Sequence, residues 1–283
     1  MTHVLLVGNP NCGKTTLFNA LTGDNQRIGN WPGVTVEKKT GQIPLAQGCI
    51  EITDLPGVYS LISNMDGLSQ DEQIATHSIA NLAADCIINV VDACHLERHL
   101  YLTSQILELG KPVVLALNMM DVAESRGISI DIKKLSELLG CAVIPLQAHK
   151  NLGVKELLAQ LQNLPKVNPP IELPLNESVR ATLNSIENQL IAAGYQANFA
   201  YYASLRLAEG DSYLVDPILL KTMTLELENE PGLDIFLADA RYNKIHQIVS
   251  GSQKKRSDAS ENFTAKLDRI FLHRFLALPI FFG

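Results

Sequence analysis

Residues 8–15 read Gly8-Asn9-Pro10-Asn11-Cys12-Gly13-Lys14-Thr15, a full match to the pattern G-x-x-x-x-G-K-[ST]. Before it, His3-Val4-Leu5-Leu6-Val7 has the composition of a buried strand, and Thr16 to Leu21 begins a helix. A strand, a glycine-rich loop and a helix start gather consecutive backbone N–H groups and a helix N-terminus around an anion. Lys14 then reaches outer phosphates, and the Thr15 hydroxyl, with Thr16 beside it, faces the same anion and ligates Mg²⁺. The alternative is an ordinary glycine-rich turn, which the flanking strand and helix disfavour.

Two further strand ends narrow the ligand. Cys49-Ile50-Glu51-Ile52-Thr53 alternates like a strand and runs into Asp54-Leu55-Pro56-Gly57. A carboxylate there supports Mg²⁺ through water, and the Gly57 N–H meets a γ-phosphate. The apolar run Pro112 to Leu117 ends in Asn118-Met119-Met120-Asp121. Asp121 can accept both guanine N1–H and the 2-amino group, donors that adenine does not offer. Asn118 braces that loop and touches the base edge, with Met119 beside it. Three such segments in order, each after a strand, predict a GTP site with Lys14 and Gly57 among its acting groups.

Between the first two lies Gly33-Val34-Thr35-Val36-Glu37. Thr35 fits the mobile segment that closes over Mg²⁺ and the γ-phosphate, which makes it a third acting residue; an incidental surface-loop threonine is the alternative. Later, Ile144-Pro145-Leu146-Gln147-Ala148-His149 follows another strand. Ala148 fits a small residue whose N–H meets guanine O6, and Gln147 stands where Ser is usual. Asn151-Leu152-Gly153 then starts a helix through Leu164.

The segments 8–23, Asn30 to Lys38, Asp54 to Leu61, Leu96 to Leu102 and Leu115 to Asp121 resemble the cytosolic part of the FeoB family of bacterial ferrous-iron transporters. The resemblance is dense over the first half and looser beyond it. It implies an α/β P-loop GTPase fold with a central, mainly parallel sheet, followed by a small all-α helical domain. It also implies a membrane permease in the same polypeptide, a place on the cytoplasmic face of the bacterial inner membrane, and room for small accessory iron-transport proteins. Where many G proteins carry a water-orienting Gln after Asp-x-x-Gly, this chain has Val58 and then Tyr59. The resemblance implies that Asn11 helps hold K⁺ near the phosphates instead; a plain turn residue is the alternative. A soluble GTPase of ribosome assembly or tRNA modification would share these motifs.

The remaining sequence fits that organisation. Pro165-Lys166-Val167-Asn168-Pro169-Pro170 breaks the pattern, after which strand and helix no longer alternate. The expected division is a G domain at 1–165, a linker at 166–172, a helical regulatory domain at 173–258 and the start of a membrane segment at 259–283. Helices are expected at Glu177 to Ala193 with Gly194 as cap, Phe199 to Glu209, Pro217 to Glu228 and Leu233 to Val249. This bundle either regulates the nucleotide site or only stabilises the first domain. The apolar run from Ile270 to Gly283 falls short of the roughly 20 residues of a spanning helix. With Lys254, Lys255, Arg256, Lys266 and Arg269 upstream it reads as a truncated first membrane helix, or else as a helix packing on the bundle. With Thr2-His3 leading straight into the first strand, no signal peptide is expected.

The net charge of −7, from 23 basic and 30 acidic residues, argues against a nucleic-acid partner. The sequence is compatible with a homo-oligomer. Five scattered cysteines without a Cys-x-x-Cys pair read as reduced thiols, and modification of Cys12 is expected to crowd the nucleotide. His95 and His99, spaced i, i+4 beside Glu97, form either a divalent-metal face or solvated surface residues.

Overall fold

Alternation along the first strand sets up a two-faced sheet. In β1 (Thr2–Gly8) Leu5 and Val7 point to one face while Val4 and Leu6 point to the other, and all four are buried. Such near-continuous apolar strands require cover on both sides. A computed structural model describes residues 1–23, 25–31, 34–45, 48–62, 70–81, 84–164 and 167–255. Gly33 and the 259–283 segment lie outside the described residues.

The elements that follow are α1 (Lys14–Thr22), β2 (Gln26–Asn30), β3 (Glu37–Pro44), β4 (Cys49–Asp54), α2 (Gln70–Asn81), β5 (Cys86–Asp92), α3 (Leu96–Leu107) and β6 (Val113–Asn118). After them come α4 (Met120–Ser125), β7 (Ile128–Ile130), α5 (Ile132–Leu139), β8 (Ala142–Pro145) and α6 (Val154–Gln162). The main sheet has the order β2-β3-β4-β1-β5-β6-β8. β4, β1, β5, β6 and β8 run parallel, whereas β3 pairs antiparallel with both β4 and β2. One face packs Leu17, Phe18 and Leu21 of α1 and Val154, Leu157 and Leu161 of α6 against Ile50, Ile88 and Val114. The other packs Leu96, Leu100 and Ile106 of α3 and Leu135 and Leu139 of α5 against Ile87, Val91 and Leu115. The sheet thus carries its parallel-strand C-termini, and the loops after them, to one edge, where α/β sheets bind ligands.

The second half is helical: α7 (Glu177–Ala192), α8 (Ala197–Ala208), α9 (Pro217–Glu228) and α10 (Leu233–Ser252). Asn176 and Asp216 cap α7 and α9 by accepting the Val179 and Ile218 N–H groups at 2.8 Å each. Ile186, Leu190, Ala203, Leu207 and Met223 form one apolar cluster of this bundle.

Two features differ from the sequence expectation. The proline-rich break does not hang free: Asn168 is buried, its Oδ1 accepts the Val113 N–H at 2.7 Å and its Nδ2 donates to Gly140 O at 2.8 Å. Alternation also returns at the end of α10, where β9 (Gln253–Lys255) pairs antiparallel with β7. The C-terminal half of α10 packs Ile245, Ile248 and Val249 into the sheet-face core beside α3 and α5.

The helical and sheet portions are also joined by charge. Glu108, just past α3, lies between Arg206 of α8 and Arg241 of α10, and Glu209 closes the square. Arg206 Nη2 donates to Glu108 Oε2 at 2.9 Å, and Arg241 Nη2 donates to Glu209 Oε1 at 2.8 Å. Both arginines are fully buried. Removing one member of a buried ionic group leaves its partner charged and desolvated, at about 3–5 kcal/mol. Arg206→Met is therefore expected to lower unfolding stability by about that amount in urea titrations. A loss under about 0.5 kcal/mol would mean that Glu108 and Glu209 do not depend on Arg206.

Candidate functional site

The phosphate-binding loop is built by two left-handed residues. Asn11 (φ 64°) and Gly13 (φ 85°) turn the chain between β1 and α1. Asn tolerates that region and Gly occupies it without penalty. A side chain on Gly13 would run into the amide of Asn118, and one on Gly8 would lie 2.6 Å from Val90 O. α1 begins at Lys14 with no side-chain cap, so its first N–H groups point into the loop. Asn9, Pro10, Asn11, Gly13, Lys14, Thr15, Thr16, Gly57 and Met119 line one cleft of about 540 Å³. Lys14, Thr35, Val36, Asp54, Leu55 and Pro56 line a second, of about 440 Å³, that shares Lys14.

Asp54, at the end of β4, is buried and paired with the Lys14 ammonium. Burial raises its carboxyl above the usual range, and the Lys14 charge opposes that shift. The backbone carries the next residues across the loop: Leu55 N donates to Leu6 O at 3.1 Å and Val58 N to Gly8 O at 3.2 Å. A Cβ on Gly57 would stand 3.0 Å from Pro10 N, so a glycine is what allows this strand end to lie on the phosphate loop. Thr35 is exposed at the mouth of the second cleft, and Val34 N donates to Trp31 O at 3.3 Å.

At the base end, Met119 takes a left-handed conformation (φ 62°) after β6. Asn118 Nδ2 donates to Cys12 O at 3.1 Å, and Asn118 Oδ1 accepts the Ala148 N–H at 3.0 Å. Gln147 pairs its backbone with Leu152 across the loop. Asp121 Oδ2 accepts from Lys150 Nζ at 2.8 Å, and His149 Nε2 lies 3.4 Å away. The Lys150 hydrogen bond holds the Asp121 carboxyl below the usual range. Lys150 escaped the sequence reading, although its place two residues after Ala148 was a signal.

Among the described residues, the buried amide of Asn9 and Asp121 Oδ1 have no protein partner. Buried polar groups of this kind are met by ligand or water. The hard oxygens of Thr15, Thr35 and Asp54 around adjoining clefts suit a magnesium ion.

Cys12 does not behave as expected. Its side chain is fully buried beneath the loop, packed with Leu17 and Val90, and burial pushes its thiol up to about 11. Such a thiol is shielded from reagents and weakly ionised. His95 and His99 do not share a metal face: His95 Nδ1 lies 2.8 Å from Asp92 Oδ2, whereas buried His99 accepts the Asp92 N–H at 3.2 Å. No cluster of three or more metal-ligating side chains occurs among the described residues.

That accepted N–H requires neutral His99, and burial depresses its pKa from 6.5 to about 4. Above pH 6.5 both folded and unfolded chains are neutral there, so this contribution is complete. As pH falls from 6.5 towards 4 the unfolded chain alone takes up the proton, and stability is lost. NMR titration is expected to show His99 unprotonated until about pH 4. A midpoint near 6.5 would contradict the burial argument.

Comparisons with known proteins agree with this geometry. The family profile described as Ferrous iron transport protein B matches residues 2–161, more than half the chain. The Fe(2+) transporter FeoB of Legionella pneumophila is 64% identical over 284 residues, covering 100% of this chain and 38% of that protein. The Escherichia coli K12 protein of the same name is 40% identical, covering 98% of this chain and 36% of its own length. The chain therefore spans little more than a third of these relatives. Among solved structures, the cytosolic domain of L. pneumophila FeoB superposes with a TM-score of 0.84 at 62% identity, over 90% of this chain and 100% of that one. The T. maritima FeoB cytosolic domain in its GMPPNP form superposes at 0.78 with 31% identity, over 90% of this chain and 100% of its own. A mutant S. thermophilus NFeoB bound to GDP reaches 0.79 at 34%, with the same coverage. With its phosphate loop, Asp54 and the Asn118–Asp121 loop on one sheet edge, this chain belongs to the FeoB family of ferrous iron transport proteins.

Proposed function

We propose that this chain is the GTP-binding and slowly GTP-hydrolysing portion of a ferrous-iron transporter. Iron movement belongs to a membrane permease carried in the remaining length of the polypeptide. The observation that carries the reading is Asn118, whose one amide joins the phosphate loop to both base-side loops. Relatives solved with GDP and in a GMPPNP form support a guanine nucleotide. A ribosome- or tRNA-directed role has no such support. We read 1–165 as the G domain, 173–258 as a regulatory helical domain and the whole as facing the cytoplasm at the inner membrane. Among the described residues no helix is long and apolar enough to cross a membrane.

Hydrolysis of GTP needs positioning and charge neutralisation more than covalent chemistry. Lys14 and the N–H groups opening α1 face the phosphate chain, and the Gly57 N–H meets the γ-phosphate. Thr15, Thr35 and, through water, Asp54 would hold Mg²⁺, whose charge offsets that of the phosphates. Asp121 accepts from the guanine edge while Lys150 fixes its other oxygen. We assign guanine O6 to the Ala148 N–H, which donates to Asn118 Oδ1 and would share that proton with the base. Val58 is buried and Tyr59 stacks under Arg98 at 4.5 Å, and neither side chain carries a carboxamide to orient a water. Asn11, exposed on the open side of the loop, would hold K⁺, a cation adding positive charge at the phosphates.

Replacing the Asp121 acceptor by an amide donor is expected to reverse base preference. Asp121→Asn should weaken GTP binding by roughly a hundredfold, about 2.7 kcal/mol, and favour xanthine, which bears a carbonyl where guanine has its amine. Unchanged GTP affinity in a fluorescent-nucleotide titration would remove Asp121 from the base site. Turnover is further expected to be severalfold faster in K⁺ than in Na⁺, and Asn11→Ala should abolish the difference. Equal rates in the two salts would eliminate the K⁺ assignment.

A further inference from the structure

We propose that Gln105 of α3 is a positioning residue for hydrolysis, holding the Gly57 loop in its working place. The proposal rests on the reading of Gly57 as the γ-phosphate donor. Gln105 is fully buried, yet its side chain faces a loop rather than its own helix. Its Oε1 accepts the Leu61 N–H at 2.8 Å. The Ser60 hydroxyl lies 3.2 Å from Oε1 and 3.1 Å from Nε2, and the Ile62 N–H donates to that hydroxyl at 3.3 Å. One amide thus holds two consecutive loop residues, Ser60 and Leu61, and through the Ser60 hydroxyl a third, none of them held by a strand or helix.

The loop is pinned at its other end by Leu55 and Val58 on β1. Gly57 therefore sits between two anchors, one on the sheet and one on α3. A buried carboxamide with both ends bonded has one low-energy orientation, since turning it would leave a donor against a donor. α3 is itself fixed from the far side. Arg241 Nη1 donates to Ser104 Oγ at 3.1 Å, and Arg206 and Arg241 hold Glu108. Ser104, Gln105 and Glu108 lie within about one helical turn, so the two helical-bundle arginines and the Gly57 loop grip the same short segment. Loop position is thereby referenced to the helical half of the chain.

A donor displaced by as little as 1 Å loses catalytic effect while ground-state binding, spread over many contacts, survives. Gln105→Leu removes all three loop bonds and keeps the buried volume. In the full 283-residue chain, kcat for GTP is expected to fall roughly ten- to a hundredfold. Affinity for a fluorescent GDP analogue should stay near wild type while kcat falls, a split that a merely structural role would not give; the unmet Leu61 N–H is expected to lower the thermal midpoint without preventing folding. An unchanged kcat overturns the proposal, as does a kcat loss matched by an equal loss of nucleotide affinity. Should Gln105→Leu fail to fold, Gln105→Asn retains the amide but is one methylene too short, and the same outcomes apply to it. Gly57→Ala is measured alongside. If it keeps full kcat, the Gly57 reading and this proposal both fall; if it loses kcat and the Gln105 variants do not, this proposal alone falls.

Discussion

The carboxamide of Asn118 is the constraint on which the site depends. It stands at the end of β6, the strand next but one to β1, and binds the carbonyl of Cys12 in the phosphate loop and the N–H of Ala148 in the loop after β8. Three segments, bonded across 106 and 30 residues of sequence, are fixed to one another by two hydrogen bonds. The tight approach follows: a Cβ on Gly13 would collide with that same amide. Buried amide bonds of this kind contribute about 1 kcal/mol each, but leaving either partner unmet costs more than the bond supplies. The arrangement therefore favours one geometry of phosphate loop and base loop over any near alternative.

Beneath this lies the parallel sheet, and the helical half contributes to it more than a regulatory add-on would. The end of α10 is part of the sheet-face core, β9 closes onto β7, and Asp131 N donates to Ser252 O at 2.8 Å. β7 follows directly on α4, which carries Asp121. The last described residues are thus fastened next to the Asn118–Asp121 loop, while the buried arginines fasten the bundle next to the Gly57 loop. The Asn118–Asp121 and Gly57 loops are both tied to the helical half of the chain.

What could be read from the sequence was local. Strand, loop and helix around Gly8 to Thr15, the acidic residue closing β4, and Asn118 with Asp121 after β6 are short patterns whose spacing carries the chemistry. The helices α7 to α10 were legible from periodicity and from Gly194 and Gly232, within a few residues at each end. Long-range partners were not. Arg206 and Arg241 sit in helical segments where an arginine ordinarily means a solvated face, and their carboxylate lies 98 and 133 residues away. Gln105 is equally silent, because nothing near it in sequence announces the loop 44 residues earlier that it holds. β7 and β9 are three residues each and partly polar, too short for alternation to show. Cys12 misled because a residue's place in a loop does not say which way its side chain points.

The central claim, that the loop around Lys14 hydrolyses GTP, is tested most directly by steady-state phosphate release from GTP, comparing wild type with Lys14→Ala. Removal of a charged group aimed at developing phosphate charge costs on the order of a hundredfold or more in rate. Slow, repeated turnover is expected of the wild-type chain, with a loss of at least that size in the variant. Phosphate release by Lys14→Ala at the wild-type rate would contradict the claim.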